Sequence, residues 1–287
     1  MSCKVAEVPV FMRFLALLLA ATTLVSCASA ILTESGHLSS YSGLETSNGL
    51  LTRAKVRADK AAVLAARTAA MSPTKVTSDA SASGLSPAEL RLVGNAVDRA
   101  LCRDLSRRFV MVESGQPADL FLAVTITHID KTDTTAAGAS VVTGIGSKVA
   151  GAVTGAPIPS MRIPIGLGSL TVEAEAKDQT GLQVAALVWA RGADMFTTKA
   201  RVANESDAHE LAAAFAGDFA KLLVTGGDPI SDLTPLVPTQ ERVGEYFGAE
   251  AKYAACRRFG KDPGLGDTIG GAIGLPPAWT DKGPVDP

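Results

Sequence analysis

The chain has 287 residues, of which 47% are hydrophobic and 20% charged, and its formal net charge at pH 7 is -2. This balance argues against nucleic-acid binding, because a protein that neutralises phosphates needs an excess of Lys and Arg. Four cysteines are too few for a disulfide framework, and three scattered histidines form no recognisable metal site. We therefore expect no metal and no cofactor.

The N-terminus carries a targeting signal. Residues 14–25 form an apolar run that follows Arg13 and ends in small residues. The run is shorter than the roughly 20 residues that a helix needs to cross a bilayer, so it is typical of a secretory signal peptide over residues 1–26. The end of the run and the two residues after it, Leu24, Val25, Ser26 and Cys27, resemble the lipobox of bacterial lipoproteins. We predict cleavage before Cys27 and lipidation of that residue.

Two points about this signal remain open. An ordinary signal peptide would instead be cut near Ala28 or Ala30. The natural start is Met1 or Met12: residues 1–11 are long for the start of a signal peptide and include Glu7, whereas a start at Met12 leaves only Arg13 before the apolar run. Ala28 follows the lipidated cysteine where Asp usually retains a lipoprotein at the inner membrane, so we expect a lipid-anchored protein of the outer membrane with its domain in the periplasm.

Lipidation would leave Cys102 and Cys256 in an oxidising compartment, where they could pair. Both lie in Ala-rich helical stretches, and a buried free cysteine behaves as a small hydrophobe. A disulfide and two buried thiols therefore remain alternatives.

The mature chain divides by composition. Residues 27–53 are rich in Ser, Thr and Gly and predict a lipidated, flexible tether. Residues 54–225 predict one folded domain, residues 226–259 a linker and a helix, and residues 260–287 a flexible tail rich in Gly and Pro.

Within the domain, alanine content favours a helix over residues 54–68, followed by a strand around residues 69–76. Ser86, Pro87 and Glu89 form a capping box that begins a longer helix. Alternating strands are predicted over residues 120–129, 170–176 and 183–191, and a last core helix over residues 207–223. This order indicates an α+β fold: a mainly antiparallel sheet with helices packed on one face.

Two segments are candidate sites. Glu173 and Glu175 point to the same side of one strand and could form an acid/base pair, although a solvated sheet face explains them equally well. Residues 137–155 lack the spacing of a phosphate-binding loop, and Gly151 and Gly155 have the spacing of packed membrane helices. A surface crossover between strands is the simpler interpretation of that segment. No catalytic residue is assigned.

A set of stretches covers most of residues 35–225 in a characteristic order and spacing: 35–41, 95–109, 118–128, 163–168, 173–175, 188–194 and 207–219. Together they resemble the bacterial lipoproteins of the domain-of-unknown-function family 3313. The resemblance implies a compact α/β lipoprotein domain and supplies no activity or catalytic residues.

Three hypotheses of function follow. The first is a non-enzymatic envelope lipoprotein that binds an envelope protein or a wall component. The second is a periplasmic hydrolase that uses Glu173 and Glu175. The third is an assembly protein that self-associates through residues 137–155.

Overall fold

The computed structural model describes residues 30–154, 162–232 and 240–284. The signal peptide, the lipobox and Cys27 lie outside these residues. The described residues contain an eight-stranded sheet: β1 (Glu45–Asn48), β2 (Thr52–Ala58), β3 (Thr68–Met71), β4 (Lys75–Val76), β5 (Val110–Val112), β6 (Leu120–Asp130), β7 (Ser169–Lys177) and β8 (Gln183–Gly192).

The strand order is β1-β2-β8-β7-β6-β3-β5, and β4 also pairs with β6. The pairs among β1, β2, β8, β7 and β6 are antiparallel, whereas β3 and β4 run parallel to β6, and β5 runs parallel to β3. The sheet is therefore open and mixed. Together with the helices it confirms an α+β single domain.

The helices in the same residues are α1 (Lys60–Ala65), α2 (Ser78–Ser81), α3 (Pro87–Leu105), α4 (Thr134–Thr154), α5 (Ser206–Thr225), α6 (Gln240–Tyr246), α7 (Ala254–Arg257), α8 (Gly264–Ala272) and α9 (Pro277–Thr280). The capping box of α3 is present: Ser86 Oγ accepts from the Glu89 amide, and the Glu89 carboxylate accepts from the Ser86 amide. Helix α5 ends at Thr225 and is capped by Gly226, whose φ of +64° suits a residue without a side chain.

The main core lies between the sheet and the long helices α3 and α5, which pack against each other. Trp189 of β8 meets Phe215 of α5 edge-on, with ring centroids 5.7 Å apart, and Phe215 stacks on Phe219. The Trp189 indole N–H donates to Asp218 at 2.8 Å, which satisfies its only polar atom inside the core.

The opposite side of the sheet is covered by the chain that precedes β1. Ala186 and Val188 of β8 form a second apolar cluster with Leu38, against which Tyr41 packs. Side chains alternate between the faces of a strand, so Leu187 and Trp189 point to the core beside α3 and α5, while Ala186 and Val188 point to this segment.

Three sequence predictions differ from the structure. The flexible tether predicted over residues 27–53 is wrong for its described part: Leu32, Leu38, Tyr41 and Leu44 pack on the sheet, and β1 and the start of β2 follow them. Residues 54–68, predicted as one helix, are divided between β2, the short α1 and β3, because β2 pairs along its whole length with β8. Pairing with a strand that is distant in sequence outweighs the intrinsic helix preference of alanine.

The Gly/Pro-rich tail is also folded as far as residue 284. It contains α8 and α9 and supplies counter-ions to two buried arginines. Arg201 donates to Asp267 at 2.6 Å and to the Leu275 carbonyl at 2.7 Å, and Arg99 pairs with Asp281. A buried guanidinium needs such partners, so these contacts hold the segment in place.

Candidate functional site

The site predicted on β7 lies under the N-terminal segment. Glu173 and Glu175 are on the face of the sheet away from α3 and α5, and their residues are 1% and 4% exposed. The segment over residues 31–41, which we call the N-terminal strip, runs along β7 above them. Its contacts begin where the Thr171 hydroxyl donates to the Ile31 carbonyl at 3.0 Å.

The carboxylate of Glu173 accepts three hydrogen bonds from the strip. The Ser35 amide donates to Oε1 at 2.6 Å, and the His37 amide and the Tyr41 hydroxyl donate to Oε2 at 2.9 and 2.7 Å. A carboxylate satisfied in this way can be buried without a cationic partner. His37 takes part through its backbone, and its side chain is exposed.

Tyr41 closes the strip into a loop. Its hydroxyl oxygen accepts from the amides of Gly36 at 2.7 Å and Leu38 at 3.3 Å while it donates to Glu173. Burial and the bond to Glu173 raise the pKa of Tyr41. The hydroxyl therefore stays protonated and keeps the donor that this arrangement requires.

Glu175 is held in a similar way by more partners. The Ser39 amide and hydroxyl and the Gln183 amide donate to Oε2, at 2.8, 2.5 and 2.8 Å, and Lys177 Nζ lies 2.8 Å from Oε1. Burial by itself would raise the pKa of Glu175, but the bonds from Lys177, Ser39 and Gln183 outweigh burial and lower it. The group is therefore a carboxylate at neutral pH and cannot act as a general acid there.

The two glutamates share one strand face, as the alternation predicted, but the arrangement differs from an open acid/base pair. Both carboxylates are saturated with hydrogen bonds from the chain itself. A substrate would have to displace the N-terminal strip before it reached either group. The geometry is that of a latch that fixes residues 31–41 to the sheet.

The sulfur atoms of Cys102 and Cys256 are bonded in the structure, with Cα atoms 5.6 Å apart. The bond joins α3 to α7 across 154 residues of sequence. Both residues are buried, at 0% and 3% exposure.

Residues 137–154 of the glycine-rich segment belong to α4. Ala137 and Ser140 are buried, whereas Val142 is 71% and Ile145 44% exposed. Among the described residues, no helix is both long enough and apolar enough to cross a membrane. No grouping of three or more potential metal-ligating side chains occurs in the described part of the chain.

Sequence reasoning missed a buried ionic cluster where α3, α5 and the C-terminal segment meet. His209 Nε2 lies 2.9 Å from Asp281, which also pairs with Arg99. Burial would raise the pKa of Asp281, but the bonds and charges of His209 and Arg99 lower it to about 2. Nearby, Asp207 binds Arg162 with both carboxylate oxygens and accepts from the Gly168 amide at 2.7 Å. The partners are far apart in sequence, so no local sequence pattern predicts that they form ion pairs.

Comparison with known proteins gives a family and no activity. A search of curated proteins finds no match. Two solved structures of the PelC dodecamer from Paraburkholderia phytofirmans, one of them of a leucine-to-methionine variant, share 13% and 11% identity with this chain and have TM-scores of 0.33 and 0.34. Each alignment covers 61% of this chain and 98% of the PelC chain. The family described as "Protein of unknown function (DUF3313)" matches residues 33–219, more than half of the sequence, and the chain therefore belongs to that family.

Proposed function

We propose that this protein is a lipid-anchored component of the bacterial envelope, attached through Cys27, whose domain binds an envelope protein or a wall component. The outer membrane is the proposed site of anchoring, with the domain in the periplasm. The observation that carries the proposal is the lipobox from Leu24 to Cys27, whose cysteine is three residues before the buried Ala30.

Two further observations support this proposal. The bond between Cys102 and Cys256 suits an oxidising compartment, where disulfides persist. The hydrogen bonds on Glu173 and Glu175 engage the most obvious acid/base pair within the fold, which favours a binding role over hydrolysis.

We further infer that the antiparallel strands β1, β2, β8, β7 and β6, backed on one face by α3 and α5, form the frame of this domain. The four pairings among these strands and the core around Trp189 support that description. The N-terminal strip on the other face would then be the link between this frame and the membrane.

Metabolic labelling with palmitate tests the anchor. The wild-type chain should incorporate label, and Cys27→Ser should not. Cys3→Ser is the matched control, because Cys3 lies upstream of the predicted cleavage site and its loss should leave labelling unchanged. Equal labelling of the Cys27→Ser variant would refute lipidation at this residue, and sedimentation of labelled membranes would distinguish outer from inner membrane.

Crosslinking in intact cells followed by mass spectrometry tests the binding role. We expect a reproducible crosslinked partner from the envelope that requires membrane attachment. Turnover of an envelope substrate by the purified wild-type protein would instead favour the hydrolase hypothesis.

A specific observation favours self-association through residues 137–155 as a second candidate. Val142 and Ile145 are one turn apart on α4 and both expose apolar surface. Light scattering in detergent would test it: Val142→Asp should dissociate an oligomer, whereas Val243→Asp, a control at a 48% exposed valine of α6, should not. A wild-type monomer would exclude this candidate.

A further inference from the structure

The β1–β2 turn, the end of β8, the start of β7 and the start of the N-terminal strip all lie at one end of the sheet. Thr52 pairs with Arg191, and Ser169 pairs with Gly192. The tip of the β1–β2 hairpin, the end of β8 and the beginning of β7 therefore lie side by side. The N-terminal strip begins at the same end, where Ala30 and Leu32 line a groove together with Leu50.

Large apolar side chains face outward at this end. Leu50, at the hairpin tip, is 98% exposed, Ile31 is 59% exposed, and Phe196 is 75% exposed. Phe196 lies two residues after Asp194, which lines the groove, and its backbone amide donates at 2.8 Å to the Asp194 carboxylate. We call Ile31, Leu50 and Phe196 the anchor-side patch.

Exposed apolar residues are common when scattered singly, but a group at one end of a fold marks an interaction surface. The position of the anchor-side patch relative to Cys27 indicates which partner it meets. Only residues 28 and 29 separate Cys27 from Ala30, so the cysteine lies within about 10 Å of Ala30 even if that chain is fully extended. A bilayer that holds lipid chains on Cys27 must therefore approach this end of the sheet.

We propose that the anchor-side patch inserts into the interfacial layer of the phospholipid bilayer when Cys27 carries its lipid. The inference rests on the proposed lipid anchor and adds an orientation to it: the hairpin tip faces the membrane, and the β7–β8 turn faces away. Moving Leu and Phe side chains from water to the level of the headgroups and upper acyl chains lowers the free energy of the protein on the membrane. Arg53, exposed beside the hairpin tip, is placed to meet lipid phosphates.

A fluorescent probe at position 50 tests the orientation. The mature lipidated chain with Leu50→Cys is labelled with an environment-sensitive dye and reconstituted into vesicles of phosphatidylethanolamine and phosphatidylglycerol. Because Cys27 is acylated and Cys102 is bonded to Cys256, the introduced thiol is the one available for labelling. The matched control is Leu182→Cys, a 64% exposed leucine in the β7–β8 turn at the opposite end of the sheet.

We expect blue-shifted emission at position 50, with quenching by brominated lipids that places the probe about 5–10 Å below the headgroup surface, and neither effect at position 182. A water-like, unquenched probe at position 50 on vesicle-bound protein would overturn this inference and leave the anchor intact. A blue shift without quenching by brominated lipids would mean burial against protein and would overturn it as well. Protein that does not remain with the vesicles would refute the anchor itself.

Discussion

The latch on Glu173 can be broken by removing a single charge. In Glu173→Gln the amide group can place its oxygen where Oε2 now accepts two bonds, which leaves its NH₂ group facing the Ser35 amide, itself a donor. One unsatisfied donor costs about 1–3 kcal/mol, and each bond that changes from charged to neutral loses about 1 kcal/mol. Since the strip can recover some hydration, we expect the segment over residues 31–41 to open more easily by about 3 kcal/mol.

Native-state hydrogen exchange measures this opening directly. A change of about 3 kcal/mol corresponds to exchange roughly a hundredfold faster at the amides of residues 35–41, with little change in α3 and α5. The control is Glu34→Gln, the same substitution in the same segment. Glu34 is 39% exposed and pairs with Lys55 at 2.7 Å, so its loss should cost less than about 1 kcal/mol. Unchanged protection of residues 35–41 in Glu173→Gln would refute the latch.

Three further predictions concern stability. Replacing Cys102 and Cys256 by Ala should lower the free energy of unfolding by about 4–5 kcal/mol, because the bond closes a loop of 154 residues. Urea denaturation with and without reductant measures this difference. A wild-type stability that does not change with reductant would contradict the prediction. Burial raises the pKa of Asp98 from 3.8 to about 6. The folded state therefore binds more protons than the unfolded state between these values, and this group's contribution to stability falls by about 3 kcal/mol as the pH rises through them. Asp98→Asn should gain stability relative to wild type over that interval and show no further gain above about pH 7; a difference independent of pH would exclude the titration of Asp98 as the cause. Asp281→Asn should destabilise the protein by about 3 kcal/mol at neutral pH by leaving a buried arginine unpaired, and thermal unfolding with the same midpoint as wild type would contradict that role.

The sequence predicted the elements whose signals are local. The capping box at Ser86 predicted the start of α3. The alternation of apolar residues predicted β6, β7 and β8, and also the turn that joins β7 to β8. The apolar periodicity after residue 207 located α5 almost to its ends. In each case the residues that decide the structure lie within one helix or one hairpin.

The remainder depends on partners that no local pattern reveals. β2 is a strand because β1 and β8 pair with its two edges, and β8 is distant in sequence. The N-terminal strip binds Glu173 largely through backbone amides, which every residue except proline possesses, so its Ser- and Gly-rich composition predicted a tether instead. The C-terminal segment is ordered by Arg99 and Arg201, which lie far upstream in sequence.

The strand order also governs when the protein can finish folding. Thr52–Ala58 of β2 pairs with residues 185–191 of β8, so the N-terminal hairpin cannot join the sheet until about 130 further residues have been made. Such pairing between distant residues slows folding, because the closure of a long loop precedes the contacts that stabilise it. A chain made from its N-terminus would thus leave β1, β2 and the strip without their partners β8 and β7 while the rest is still being synthesised. A membrane that already held the N-terminus would restrict how far the β1–β2 hairpin can move, and so shorten its search for β8.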